Sequence, residues 1–212
     1  MKKNCKDAIV EAAIMLFNTK GYNGISIRDI ARKAEVNPAN IAYYFHNKHG
    51  LLEYCFMNFF ENYMAEIEKG FAQIELGAAH CLKEIGKNLL AYQCENIHLT
   101  RFILREMSID SQVVREIMST YYVKERFYFK TVLEKGIEAG EFSIQSIPYT
   151  IIQFKGLLMM PFLNIQYATE VLHVFPHEQY FLKMYEQELV LWIERMLCTS
   201  ERERVLAIQG AG

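Results

Sequence analysis

The chain has 212 residues, 51% of them hydrophobic, and a net charge of -2. That length holds a sizeable core, in one large domain or a small one joined to a larger one, and the near-neutral total points to no particular partner. Five scattered cysteines with no Cys-x-x-Cys pair argue against a disulfide scaffold and fit a reduced, cytoplasmic chain. No apolar run follows the opening lysines, so no signal peptide is expected. Helical periodicity runs through nearly the whole chain and strand-like alternation is absent, which predicts an all-α protein of about nine helices.

The first helix is predicted over 6–19, with Ile9, Ala12, Ala13, Leu16 and Phe17 on one stripe. "KGYNG" ends it with two glycines suited to left-handed positions. A second helix starts at Ser26, and Asp29 three residues later completes a capping box. Ile27, Ile30 and Ala31 then face inward, and Arg28, Arg32 and Lys33 outward. The third helix has an explicit start: Asn37 as N-cap, Pro38 in the first turn, and Val36 with Ile41 as a hydrophobic staple. It runs only to about Tyr44. Pro38, Ile41 and Phe45 share one face; Ala39, Asn40, Tyr43 and Tyr44 share the other.

Longer helical segments follow at 49–70, 78–97, 99–107, 111–138, 148–164 and 177–198, separated by Gly70, Gly77, Gly140-Glu141 and "VFPHE". The most apolar stretch, "IIQFKGLLMMPFL" (151–163), falls far short of a membrane span of about 20 residues and contains Lys155, so it reads as a buried helix. The tail 199–212 is charged, then small, and is expected to fray.

Charge is uneven along the chain. Residues 1–48 carry eight Lys/Arg against four Asp/Glu, a net +4, and the remainder carries -6. A basic end on an acidic body suits a polyanion partner. Two short helices joined by "KAEV" after an amphipathic first helix describe a helix-turn-helix, whose second member enters the major groove. An outward Asn40 suits adenine N6/N7, and Tyr43 and Tyr44 suit phosphates or a thymine methyl. Ala39 lets the backbone approach the bases. Ser26, Arg28, Asn37, His46 and Lys48 complete the candidate double-stranded DNA site, Lys48 and the first two placed to fix register on phosphates.

The run "GYNGISIRDIARKAEVNPANIAYYFHNKHGLL" (21–52) resembles the N-terminal domain of TetR-family regulators. The resemblance implies a three-helix DNA-binding head, 1–48, on an all-helical dimerisation and regulatory domain of about six helices, 49–198. Two positions depart from the family pattern: Ala39 stands where Gly is usual and Ala42 where Tyr is usual, so Tyr43 or Tyr44 must supply the aromatic contact. The stretches 99–127, 157–163 and 176–185 resemble a branch of that family from spore-forming Bacillus relatives. That likeness implies a cytoplasmic, nucleoid-associated regulator of cell division during sporulation, bound at near-palindromic sites and acting on the tubulin-like protein FtsZ.

The last two long helices carry wide apolar faces (Ile151, Ile152, Phe154, Leu157, Leu158, Leu189, Leu191, Trp192, Met196). Two copies could bury them as a four-helix bundle, which predicts a homodimer matching a two-fold site. Met57, Phe60, Phe102, Met118, Tyr121, Tyr122, Phe154 and Met159 read as core, and no polar set identifies an effector. The charged run Arg101, Arg105, Glu106, Asp110, Arg115 and Glu116 reads either as a solvated helix face or as a protein-docking surface. Cys94/His98 and His80/Cys81 lack a third ligand, so no metal or cofactor is expected. Nucleotide-binding and zinc-protease motifs are absent, so no enzyme is expected. A ligand-released transcriptional repressor is the rival to a DNA-positioned regulator whose output is a protein contact. A third reading is an all-helical interaction module whose head ignores DNA.

Overall fold

The computed structural model describes residues 4–109 and 111–199. Among them it shows nine α-helices: α1 (Cys5–Lys20), α2 (Ile27–Lys33), α3 (Pro38–Phe45), α4 (Lys48–Phe71), α5 (Ala78–Glu95), α6 (Ile97–Ser108), α7 (Gln112–Glu138), α8 (Ile147–Leu163) and α9 (Gln179–Met196). A 3-10 turn (Ile74–Leu76) and a π-helical turn (Tyr167–Val171) lie in two of the connections. Phe142 and Cys198 form an isolated antiparallel bridge and no strand is present among the described residues. The all-helical expectation therefore holds. Asp110 and the tail 200–212 lie outside the described residues.

The chain divides into two compact units. One gathers the chain up to Asn62 with Asn96–Ser119; the other gathers Tyr63–Glu95 with the chain from Thr120 onward. The first unit is built on α1, which buries Ile9, Ala12, Ala13, Ile14 and Phe17. Ile30 and Ala31 of α2, Ile41 and Phe45 of α3, and Leu51, Cys55, Phe56 and Phe59 of α4 close over that stripe. Phe17 stacks on Phe102 of α6 with ring centroids 4.7 Å apart. Each such aromatic contributes about 1.5–3 kcal/mol through burial alone.

Local chemistry sets the helix ends. Asn4 caps α1, its side chain accepting from the Lys6 N–H. In the capping box of α2, the Ser26 N–H donates to Asp29 Oδ2 (2.9 Å) and the Asp29 N–H to Ser26 Oγ (3.2 Å). The Ser26 hydroxyl also donates to Asp29 Oδ2 (2.6 Å), and that bond first, with the one from the Ser26 N–H, holds the Asp29 carboxyl below its ordinary range. Only one of the two glycines in "KGYNG" has positive φ: Gly21, at 73°. Gly24 is required for space instead, because a Cβ there would stand 2.3 Å from the Lys20 carbonyl oxygen.

The α3–α4 junction is the tightest in the head. His46 has φ 63° and ψ -52°, and the Asn47 N–H donates to the Phe45 carbonyl at 2.7 Å. This is a γ-turn with positive φ, a strained conformation for a residue with a Cβ. Asn47 Oδ1 then accepts from the Gly50 N–H at 2.9 Å, and a Cβ on Gly50 would meet the Phe45 carbonyl oxygen at 2.1 Å. His46→Gly is expected to stabilise the protein by about 1 kcal/mol, a rise in Tm of about 2–4 °C. A lower melting temperature would show that the imidazole contributes more than the turn costs.

In the second unit, Tyr63 and Ile67 of α4 pack with Leu82, Ile85, Leu89 and Leu90 of α5, Phe129 and Val132 of α7, Phe154 and Leu158 of α8 and Leu189 and Ile193 of α9. Glu141 caps α5, its two carboxylate oxygens each accepting at 2.9 Å from the Ala78 and Ala79 N–H groups. A carboxylate at a helix N-terminus satisfies orphan donors and opposes the helix dipole. Glu125 is 7% exposed; it accepts from the Tyr63 hydroxyl at 3.1 Å and from the Lys155 ammonium. Burial and that carboxylate push the Tyr63 phenol well up.

Two expectations about the core need correction. Of the eight Met, Phe and Tyr side chains read as core, Met57 and Tyr122 are exposed. The helix at 151–163 is buried on one side only. Phe154, Leu158 and Phe162 point into the unit, while Tyr149, Ile152, Met160 and Leu163 of α8 remain exposed.

Candidate nucleic-acid interface

Asn37 opens α3 as anticipated: its Oδ1 accepts from the Ala39 N–H at 2.9 Å. Ile41 is fully buried and Phe45 nearly so, which orients the helix. The opposite side then carries Tyr43, 79% exposed, and Tyr44, 38% exposed. The two rings meet edge-on with centroids 5.0 Å apart. Ala39 and His46 are exposed alongside them. An aromatic pair held outside the core by a short, capped helix is available for contact with another molecule.

Asn40 sits differently from the expectation. It is half-buried, and its Nδ2 donates to Cys5 Sγ at 3.4 Å, so its amide leans toward the start of α1. Ser26 and Arg28 lie at the start of α2, both exposed, with Arg32 and Lys33 exposed beyond or beside them as the helix turns. Arg32 pairs with Asp29 at 3.5 Å.

Lys48 has a task that sequence reasoning missed. Its ammonium donates to the carbonyls of Tyr22 and Ile25, both at 3.0 Å, and lies 4.4 Å from the centroid of the Tyr22 ring. It thereby ties the start of α4 to the α1–α2 turn that carries Ser26. Lys6 plays a similar part on the other side, 4.1 Å from the Tyr54 ring centroid. Lys48→Met is expected to lower stability by about 1–3 kcal/mol, because two charge-assisted hydrogen bonds go. The salt slope of duplex binding should then stay close to that of the wild type. A slope lower by about 0.9 with an unchanged melting temperature would instead make Lys48 a phosphate contact.

The charged run on α6 and α7 does not form one solvated face, which corrects that expectation. Glu106 is only 8% exposed, and burial raises its carboxyl pKa against the opposing pull of Arg105. The Arg105 guanidinium donates to the Phe17 and Asn18 carbonyls, closing the C-terminus of α1. Arg101 is half-buried. Arg115 and Glu116 are exposed, Glu116 accepting from Gln112 at 2.8 Å. Asp110 lies outside the described residues. Among those residues, no group of three or more His, Cys, Asp or Glu converges as for a metal ion, and no helix is long and apolar enough to cross a membrane.

A capped pair of short helices on a helical body, with an exposed aromatic face on the second, defines a helix-turn-helix transcription regulator. The family described as bacterial regulatory proteins, tetR family, matches residues 9–55. A Bacillus subtilis (strain 168) protein named Probable HTH-type transcriptional regulator YttP is 44% identical over 202 residues, covering 95% of this chain and 98% of that one. The Staphylococcus epidermidis regulator IcaR, named as the negative transcriptional regulator of the biofilm operon icaADBC, is 35% identical over 63 residues, 28% of this chain and 34% of its own. Among solved structures, a tetR-family regulatory protein from Rhodococcus RHA1 superposes with TM-score 0.72 at 18% identity, covering 94% of this chain and all of that one. PfmR, a TetR-family regulator from Thermus thermophilus, also gives 0.72 at 18% identity, covering 88% of this chain and 97% of its own. Identity that low speaks for the fold alone. The chain belongs to the TetR family of bacterial transcription regulators.

Proposed function

We propose that this regulator binds near-palindromic double-stranded DNA as a homodimer, with α3 in the major groove, and that its output is a protein contact on the division protein FtsZ, as for RefZ of Bacillus relatives. The DNA half rests above all on one observation: Tyr43 stands 79% exposed on a helix whose other side is anchored by the fully buried Ile41. Exposed base-facing groups and the basic residues of the head then read sequence and hold the backbone. The dimer is favoured by the exposed stripe Tyr149, Ile152, Met160 and Leu163 on α8. The division role is supported by the likeness of 99–127, 157–163 and 176–185 to RefZ, and by a long match to a Bacillus subtilis relative. Its contact surface is best sought at Arg115 and Glu116, with Arg101, because Arg105 is committed to closing α1 and Glu106 is buried.

A ligand-released repressor is the second reading, favoured by relatives that carry the names of transcriptional regulators. Genome-wide mapping of bound sites separates the two. A few symmetric sites away from promoters support positioning, whereas sites at promoters, released by a small molecule, support repression. Arg115→Glu is expected to keep duplex affinity while abolishing an effect on FtsZ assembly; equal loss of both would remove the docking role.

A further inference from the structure

Three neighbouring residues fasten the start of α1 to α3 and α4. Asn4 caps α1, its side chain accepting from the Lys6 N–H. The Lys6 ammonium lies 4.1 Å from the centroid of the Tyr54 ring and 5.9 Å from that of Phe45, the last residue of α3. Between them Cys5 is a half-buried free thiol, and its sulfur accepts from Asn40 Nδ2 at 3.4 Å. Asn40 Oδ1 meets no hydrogen-bond partner among the described residues. The sulfur is thus fixed in place beside the one amide on α3 that is half-buried rather than exposed.

The geometry points to Cys5 as a positioning residue for base reading: its sulfur holds the Asn40 amide in the orientation that pairs with adenine. The inference rests on the DNA-binding reading and assigns Asn40 one adenine in each half-site. A side-chain amide carries two N–H donors and one carbonyl oxygen. One donor given to sulfur leaves the second donor and Oδ1, which adenine N7 and its N6 amino group require. An unheld amide turns about its last torsion, which is broad and two-fold, and so exchanges donor for acceptor. The exchanged amide turns its carbonyl oxygen toward N7, itself an acceptor, and the pair is lost. Ordering the amide before DNA arrives removes that cost from the binding step. Half-burial then agrees with reading. One side of the amide is covered by α1, and the other stands beside Tyr43 and Tyr44, one helical turn on.

Titration of the intact protein with its bound site, and with duplexes changed at single base pairs, tests the inference. Asn40→Ala is expected to lose roughly ten- to hundredfold of the preference for adenine at one base pair in each half-site. Cys5→Ala should lose about three- to tenfold at that same base pair. Its melting temperature and its affinity for a non-specific duplex should match the wild type. The double variant should discriminate no worse than Asn40→Ala, because the sulfur acts only through the amide. In the DNA-free protein, the side-chain amide resonances of Asn40 should move when Cys5 becomes alanine. A uniform loss of affinity on all duplexes, or a lower melting temperature with base preference intact, would give Cys5 a packing role and overturn the inference. Losses that add in the double variant would overturn it too. If Asn40→Ala keeps the base preference while the protein still binds its site, the inference fails with the DNA-binding reading intact. A wild-type chain that binds no duplex removes both.

Discussion

Tyr43→Ala is expected to cost about 1–3 kcal/mol of specific duplex affinity, roughly a ten- to hundredfold rise in Kd, with almost no change in melting temperature. The asymmetry follows from exposure. At 79% exposed, the ring contributes little to the core, and its neighbour is the likewise outward Tyr44. Substitutions at such sites usually move stability by less than about 0.5 kcal/mol. Tyr44 differs because it is 38% exposed and its ring centroid lies 6.1 Å from that of the buried Phe45. Tyr44→Ala should therefore lower both affinity and stability. Titration of a labelled cognate duplex beside thermal melting of the same variants checks both. Lost stability with unchanged DNA binding would return both tyrosines to a packing role.

Lys155→Met is expected to destabilise the protein by about 3–5 kcal/mol, on the order of 10 °C in Tm. The substitution keeps the apolar stem but takes the ammonium from the carboxylate of Glu125, which is 7% exposed and still accepts from the Tyr63 hydroxyl. An uncompensated buried charge costs more than the pair ever contributed. The double variant Glu125→Leu/Lys155→Met should accordingly recover most of the loss. A single-variant shift of only about a degree or two in calorimetry would mean that water reaches Glu125.

The order of the short helices was legible because the starts of α2 and α3 carry their own chemistry. Ser26 with Asp29, and Asn37 with Pro38, mark α2 and α3 to the residue, since capping acts within one turn of the chain. The outward side of α3 followed from its period and from Ile41 and Phe45 alone. Interactions between distant residues were not legible. Nothing in the sequence near Lys48 announces that its ammonium meets carbonyls 23 and 26 residues earlier. Nor does the spacing of Arg105 and Glu106 reveal that one closes α1 and the other is buried. Asn40 looked outward by helical angle, but α3 packs close enough to α1 for its amide to reach Cys5. The apolar run at 151–163 misled for another reason. Hydrophobicity records that a face leaves water, not whether its cover belongs to the same chain or to a second copy.

The central claim is that α3 lies in the major groove, and methylation interference at guanine N7 tests it most directly, because that atom is exposed only there. On a bound symmetric site, interference is expected at two clusters of guanines about one helical turn apart, roughly 34–36 Å, and Tyr43→Ala should weaken it at the matching positions of both clusters. Binding indifferent to N7 methylation, or no salt-dependent binding to any duplex at low ionic strength, would contradict the account.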